Sequence, residues 1–373
     1  KGGHHMQRRT KRYQFILRTV APVHIGCGET YTPKEYIYEN GQYYFPDMGK
    51  LYREIEKTGE ATVTMFEGFL MQSGNRDSRH NPRLINFLRD SAIKSRNFGG
   101  YAVKETGYEI AETSVNRYGS QVPVPVKTGR LNEVAAFIKD PYGNPYIPGS
   151  SLKGAIRTIL INEVFKVDNT RNARFAIPWG AQRDRAFSDI FHDIRVSDSQ
   201  PLPTEKLILA QKWDYSAIKG EARALPIHRE SLKPFTEVLF TITAEGEEAI
   251  SLLDSLGTYA KQHYTHYKTY FLDEFPDRYI QSHIQYPIYL GAGSGVWTKT
   301  FIDEAKKNTD SFSRGKMKMV RKGVLKLTKA PNVAFMVKSE RKELISNPDA
   351  LYEMGKCMFY MKELKEGIKP CKH

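Results

Sequence analysis

The sequence has 373 residues, enough for two domains or for one large domain carrying insertions. Hydrophobic residues make up 40% and aromatics 12%, a composition that excludes a mainly disordered chain. The 56 Lys and Arg outnumber the 42 Asp and Glu, and the net charge of +14 favours partners dense in negative charge, nucleic acid above all. No run approaches the roughly 18 apolar residues of a membrane span. The three cysteines, Cys27, Cys357 and Cys371, have neither paired nor zinc-like spacing. The expectation is a cytoplasmic protein with free thiols, no membrane contact, no metal and no cofactor. Residues 1–6 (KGGHHM) read as vector-derived, which sets His4 and His5 aside.

Residues 13–20 (YQFILRTV) predict a strand, stopped by Ala21-Pro22. A glycine-bearing loop with His24 follows. Runs at 35–38 and 42–45 flank Asn40-Gly41, which predicts a hairpin because both turn residues tolerate positive φ. From 48 to about 97 the pattern is helical. Residues 98–130 read as an irregular, extended connection whose Pro123 and Pro125 bar a helix or a central strand. Together 48–130 form an insertion. A strand at 133–139 then passes through the turn DPYGN at 140–144.

A helix is predicted from 151 to about 165, with Leu152, Ala155, Ile156, Ile159 and Leu160 on one buried face and Ser150 or Ser151 as its cap. Strands follow at 191–197, 207–213 and 235–243, then one helix over 247–262 and a strand at 286–290. That outline is a split βαβ arrangement, so the fold expected is α+β, ferredoxin-like or RRM-like, with a large helical insertion. Residues 7–290 make this domain. Residues 291–373 form a smaller basic region with strands at 323–327 and 356–360, either a tail to it or part of a second, incomplete RRM-like domain.

Three stretches fit contact with a phosphate chain. In YIPGSSLKGAIR (146–157), Pro148-Gly149 turns the chain into a helix start, whose unpaired amides and dipole attract phosphate; Gly149, Ser150 and Ser151 lie there, with Lys153 and Arg157 sharing a face. An ordinary capped helix with solvated cations fits the same residues. In LGAGSGVWTK (290–299), Gly291, Gly293 and Gly295 allow close backbone approach, while Trp297 and Lys299 offer a stacking face and a charge. The spacing is not that of a Walker loop or a dinucleotide fingerprint. RGKMKMVRK (314–322) concentrates Arg314, Lys316, Lys318, Arg321 and Lys322. Lys34 and His24 complete the RNA-contacting set. His24 is also the candidate general base of a metal-independent RNA endonuclease, without an identifiable partner. His263 and His266 lack a carboxylate or Cys partner in sequence, which favours packing over metal.

An early strand followed by APVHIGCGE (21–29), then YIPGSSLKGAIR, then LGAGSG (290–295), resembles the RAMP superfamily of CRISPR effector subunits. The order looks most like the type III-A subunit type that caps the 3′ end of the guide RNA. The resemblance implies an RRM-like fold and no catalytic residue. It implies crRNA, its 3′ region, as ligand, and the backbone and small helical subunits of a Csm-type complex as neighbours. Cellular nucleases recruited for 3′ maturation are further implied partners, in antiviral defence. It maps Gly149, Ser150, Ser151, Lys153 and Arg157 to an RNA-facing helix start, and Gly291, Gly293 and Gly295 to the superfamily's glycine-rich loop.

Overall fold

The protein is described from a computed structural model, which covers residues 9–72, 82–93, 98–106, 110–115, 118, 121–125, 131, 133–165, 190–299, 324–329 and 351–365. The basic tract with Arg314, Lys316, Lys318, Arg321 and Lys322 lies outside the described residues, as does Cys371.

In chain order the strands and helices are β1 (Thr10–Thr19), β2 (Gly26–Tyr31), β3 (Ile37–Glu39), β4 (Gln42–Phe45), α1 (Met48–Glu56), α2 (Glu60–Met71) and α3 (Leu84–Asp90). Next come β5 (Tyr101–Lys104), β6 (Ile110–Val115), β7 (Gln121–Pro125), β8 (Val134–Phe137), α4 (Gly149–Glu163), β9 (Ile194–Val196), β10 (Leu207–Ser216) and β11 (Glu221–Leu232). The chain continues with β12 (Glu237–Glu245), α5 (Glu247–Asp254), α6 (Leu256–Tyr270), β13 (Tyr286–Tyr289), β14 (Val324–Lys329), β15 (Leu351–Glu353) and β16 (Lys356–Glu363).

Alternation sorts β1 into two faces. Tyr13, Phe15 and Leu17 are buried in the core shared with α4, α5 and α6, and Thr19 is enclosed against the turn before β12, whereas Arg12, Gln14 and Arg18 point the other way and keep some exposure. β1 lies at the centre of an antiparallel sheet in the order β13-β16-β1-β12-β9. The succession β1, α4, β9, β12, α5–α6 is that of a ferredoxin-like unit, as expected.

Its fourth strand is not the expected one. By chain order the run 286–290 should lie beside β1. Instead β13 is the edge strand and β16 fills the slot, pairing from Tyr13↔Glu363 to Thr19↔Cys357. β13 has four residues and carries Pro287, which cannot donate to a ladder and is harmless at an edge. β16 has eight residues without proline.

A second sheet runs β15-β14-β10-β11-β8-β2. The run 207–213, expected in the first sheet, is here as β10, in a long hairpin with β11. Both sheets combine strands from either side of residue 290, so the boundary expected there does not separate two sets of pairing strands.

Local expectations fare unevenly. Asn40 and Gly41 have φ of 52° and 75°, and β3–β4 closes around them as the dipeptide requires. The insertion forms its own core from Leu51, Ile55, Phe66, Phe69, Leu84 and Leu88. Residues 98–130 are more regular than expected: β5 joins the β3–β4 hairpin, and β6–β7 form a two-stranded ribbon, where prolines at a free edge are tolerated. The expected single helix 247–262 is two, broken at Ser255. Beyond the break Gly257 abuts the Tyr286 ring, where a Cβ would come within 2.5 Å.

Candidate nucleic-acid interface

At the start of α4 the structure departs from the expected cap. Gly149 and both serines are already inside the first turn, so neither hydroxyl caps it; Pro148 is the cap residue. The Gly149 N–H donates to Asp198 Oδ1 at 2.7 Å, from the segment after β9, so the carboxylate meeting the positive end of the dipole belongs to the chain itself. Gly149 is also packed against β9: a Cβ would lie 2.4 Å from the Val196 carbonyl oxygen and 2.5 Å from that of Ser197. Ser150 is exposed, and Lys153 and Arg157 are half-buried. The Arg157 guanidinium lies 4.6 Å from the centre of the Phe191 ring.

The glycine loop makes its closest approaches to the chain's own backbone. Gly291 has φ +79°, and a Cβ on it would lie 2.2 Å from the His24 carbonyl oxygen, which also accepts from the Ala292 N–H at 2.8 Å. Gly293 is packed against Met354 and the Arg229 guanidinium, whereas Gly295 has open space around it. Trp297, expected as a stacking face for a base, is 3% exposed and stacks on Phe271 at 5.2 Å inside a second hydrophobic cluster. Its indole is core. Lys299 is exposed at the end of the loop.

His24 is 3% exposed, with Nδ1 2.6 Å from the Glu230 carbonyl oxygen. A carbonyl only accepts, so Nδ1 carries the proton and donates. Burial, with Arg229 and Lys139 nearby, lowers the imidazole to about 4. At neutral pH the ring is therefore uncharged and enclosed, the wrong setting for a general acid or base on a phosphodiester. The reading of His24 as an endonuclease residue finds no support here, and contact with RNA through its charge is equally disfavoured.

Lys34 donates to the carbonyls of Leu70, at 2.7 Å, and Gln72, closing the C-terminal end of α2. His263 and His266 do have a carboxylate partner, which lies 100 residues away in sequence and could not be read there: Glu163 at the end of α4, with Nδ1–O distances of 3.3 Å and 3.1 Å. Among the described residues, no group of three or more His, Cys, Asp and Glu has the geometry of a metal site.

The Glu163 contact carries a pH prediction. Burial alone would raise this carboxyl, but the hydrogen bonds from His263 and His266 more than offset it, and its pKa lies below the ordinary 4.5. A lowered carboxyl contributes stability above its unfolded value, lost as pH falls through the folded one. Urea unfolding at pH 7 and pH 4 should therefore show a smaller loss on acidification for E163Q than for the unaltered chain.

Sequence reasoning missed two groups. The first is an enclosed network: Glu230, 0% exposed, accepts from Lys139 Nζ at 2.6 Å, the Phe137 N–H at 2.9 Å and the Tyr101 hydroxyl at 2.5 Å. The second is a patch of cations beside the glycine loop. Lys212 on β10, Arg229 on β11 and Lys326 on β14 converge there with Lys299. Asp214 bonds Lys326 at 3.0 Å and lies 3.7 Å from Lys212. Burial first, then Lys326 and Arg229, hold the Lys212 ammonium below its ordinary range; the Lys299 side chain is exposed as a whole, but partial enclosure of its ammonium end, with Arg229, lowers it in the same direction. Among the described residues these four cations share one nearby carboxylate, which leaves surplus charge for an anion. Each side chain comes from a different element, which is why no linear motif announced it.

Residues 16–335 match the family model described as the RAMP superfamily. The chain belongs to this superfamily. It is 47% identical over 365 residues to a "CRISPR system Cms protein Csm5" of Streptococcus thermophilus, with 95% of this chain and 98% of that protein covered. Among solved structures, the crystal structure of T. onnurineus Csm5 superposes with a TM-score of 0.56 at 16% identity, covering 92% of this chain and 99% of that one. A chain of a cryo-EM Csm–crRNA–target RNA ternary complex from a type III-A CRISPR-Cas system gives 0.57 at 18% identity, covering 94% and 100%. These likenesses show that the fold of those two chains extends over almost the whole of this one.

Proposed function

We propose that the chain is a crRNA-binding subunit of a type III-A CRISPR complex, holding the 3′ region of the guide without cutting it. Its neighbours in that assembly are the backbone and small helical subunits, and cellular nucleases recruited nearby trim the guide end. The near full-length kinship with the Streptococcus Csm5 protein supports the assignment to such a complex. What carries the RNA contact is the cation patch of Lys212, Arg229, Lys299 and Lys326 around a glycine loop whose Gly295 stays open. Ser150, Lys153 and Arg157 at the α4 start serve as a second contact, with Asp198 limiting how closely a phosphate approaches the first amide.

The test is salt-dependent binding of single-stranded RNA to the full chain. Replacing Arg229 and Lys326 together with Gln should lower affinity about tenfold or more. It should also make the log–log salt slope shallower by about 1.4, since each lost phosphate contact on a single strand removes about 0.7. A folded variant with unchanged affinity and slope would remove the patch from the interface. A crosslink from this patch to the guide 3′ end in the native assembly would fix which RNA segment is held.

A further inference from the structure

Phe235 sits at the entrance to β12 with φ +64°, a region where side chains other than glycine are strained. Its surroundings fix it there. The Phe235 N–H donates to the Thr19 carbonyl at 2.6 Å, the Thr19 hydroxyl donates to the Lys233 carbonyl at 2.6 Å, and the Thr236 N–H donates to Thr19 Oγ1 at 2.9 Å. Glycine would hold this turn without strain. The chain instead carries a phenylalanine there and leaves it 60% exposed. Packing of the core does not explain it.

The ring has cationic company. The Arg18 guanidinium lies over it, 5.5 Å from its centre, with Nε enclosed and lacking a hydrogen-bond partner. Two residues before Phe235, Lys233 is half-buried, its ammonium donating to the Glu205 carbonyl and lowered by burial and then by Lys104 and Lys206, both of them exposed. The facing carboxylates are Glu205 and Glu237, both exposed, the latter opposite Arg18 in the β1–β12 ladder. Among the described residues these four cations stand against two carboxylates, an excess suited to a polyanion. An exposed aromatic ring backed by a guanidinium within such a field matches what a base with its phosphates requires. Phe235 follows Arg229 by six residues, so at ~3.3 Å per residue the two positions lie within about 20 Å.

We propose that Phe235 is a stacking platform for one unpaired base of single-stranded RNA, with Arg18, Lys206 and Lys233 meeting the adjoining phosphates. This rests on the RNA-holding function proposed above and adds a second contact to the same strand.

The experiment measures binding of a fluorescein-labelled, U-rich single-stranded RNA to the full chain by anisotropy. F235G suits the backbone, so it should melt no lower than the unaltered chain while binding about tenfold more weakly, the order of one lost base–aromatic stack. Its salt slope should stay unchanged, because no charge is removed. F235L, which keeps apolar bulk but no π face, should weaken binding similarly. F235W should retain affinity and show fluorescence quenching on addition of RNA.

Wild-type affinity in both F235G and F235L, alongside a weakened R229Q/K326Q variant, would overturn the platform and leave the proposed function standing. Failure of the unaltered chain to bind RNA would overturn both. Normal RNA binding by F235G together with loss of a protein subunit from the assembly would overturn the platform by assigning Phe235 to a protein contact.

Discussion

Glu230→Ala should destabilise the protein by about 3–5 kcal/mol, because it leaves the Lys139 ammonium buried without its counter-charge. Glu230 is fully enclosed and Lys139 has only 12% of its side chain exposed, so solvent cannot replace the lost partner. The same carboxylate satisfies the Phe137 N–H and the Tyr101 hydroxyl, and both would lose their acceptor. It lies on β11 and bonds to β8 and β5, so it ties the second sheet to the insertion strand that joins the β3–β4 hairpin. Urea unfolding of E230A against the unaltered chain measures the cost. Adding K139M should recover a large part of it, since the pair would then leave together. A loss below about 1 kcal/mol in E230A would mean the network is solvated.

Gly291→Ala is expected to cost about 2–5 kcal/mol. A left-handed backbone costs a residue with a Cβ roughly 1–2 kcal/mol, and forcing an atom into packed space adds about 1–3 kcal/mol. Both apply: φ is +79°, and the new atom would lie 2.2 Å from the His24 carbonyl oxygen, which is already fixed by the Ala292 N–H. The readout is again the unfolding midpoint. Gly295→Ala makes the control, because the space around Gly295 is open and only its backbone term remains. If Gly291 served RNA alone, G291A would lose affinity at unchanged stability, and the opposite pattern is expected here.

These two residues show what could be read from the sequence and what could not. The ferredoxin-like succession was legible because β1, α4 and β12 carry strong two-fold or helical periodicity, and Asn40-Gly41 announces its own turn. β11 was missed because Pro226 interrupts it and its polar residues, His228, Arg229 and Glu230, look like a loop until partners on β8 and β10 enclose them. The site was half legible. The glycines stand out in sequence, but their cause is contact with the 22–25 segment and with β9, which no local pattern records. Trp297 reads as a ligand-facing aromatic and is core, since its stacking partner Phe271 lies 26 residues earlier. Of the cations that converge, Lys299 belongs to the glycine motif, whereas the other three lie on β10, β11 and β14 and share no motif. Phe235 gave no signal at all, because neither its positive φ nor its exposure is written in residue type.

The place of β16 bears on how the chain reaches this state during synthesis. The ribosome makes β1 long before the partner on one of its sides, since Thr19 pairs with Cys357, so that edge stays open while everything between is produced. Closing it joins segments far apart in sequence, the kind of pairing that slows folding. Meanwhile Ile16, Leu17 and Phe15 offer an unpaired apolar strand to any other chain. Early capture of that edge by a chaperone or an assembly partner, until residues 356–363 emerge, would suit a protein of this topology. Deletion of those eight residues would open the middle of a sheet, and aggregation is the expected outcome.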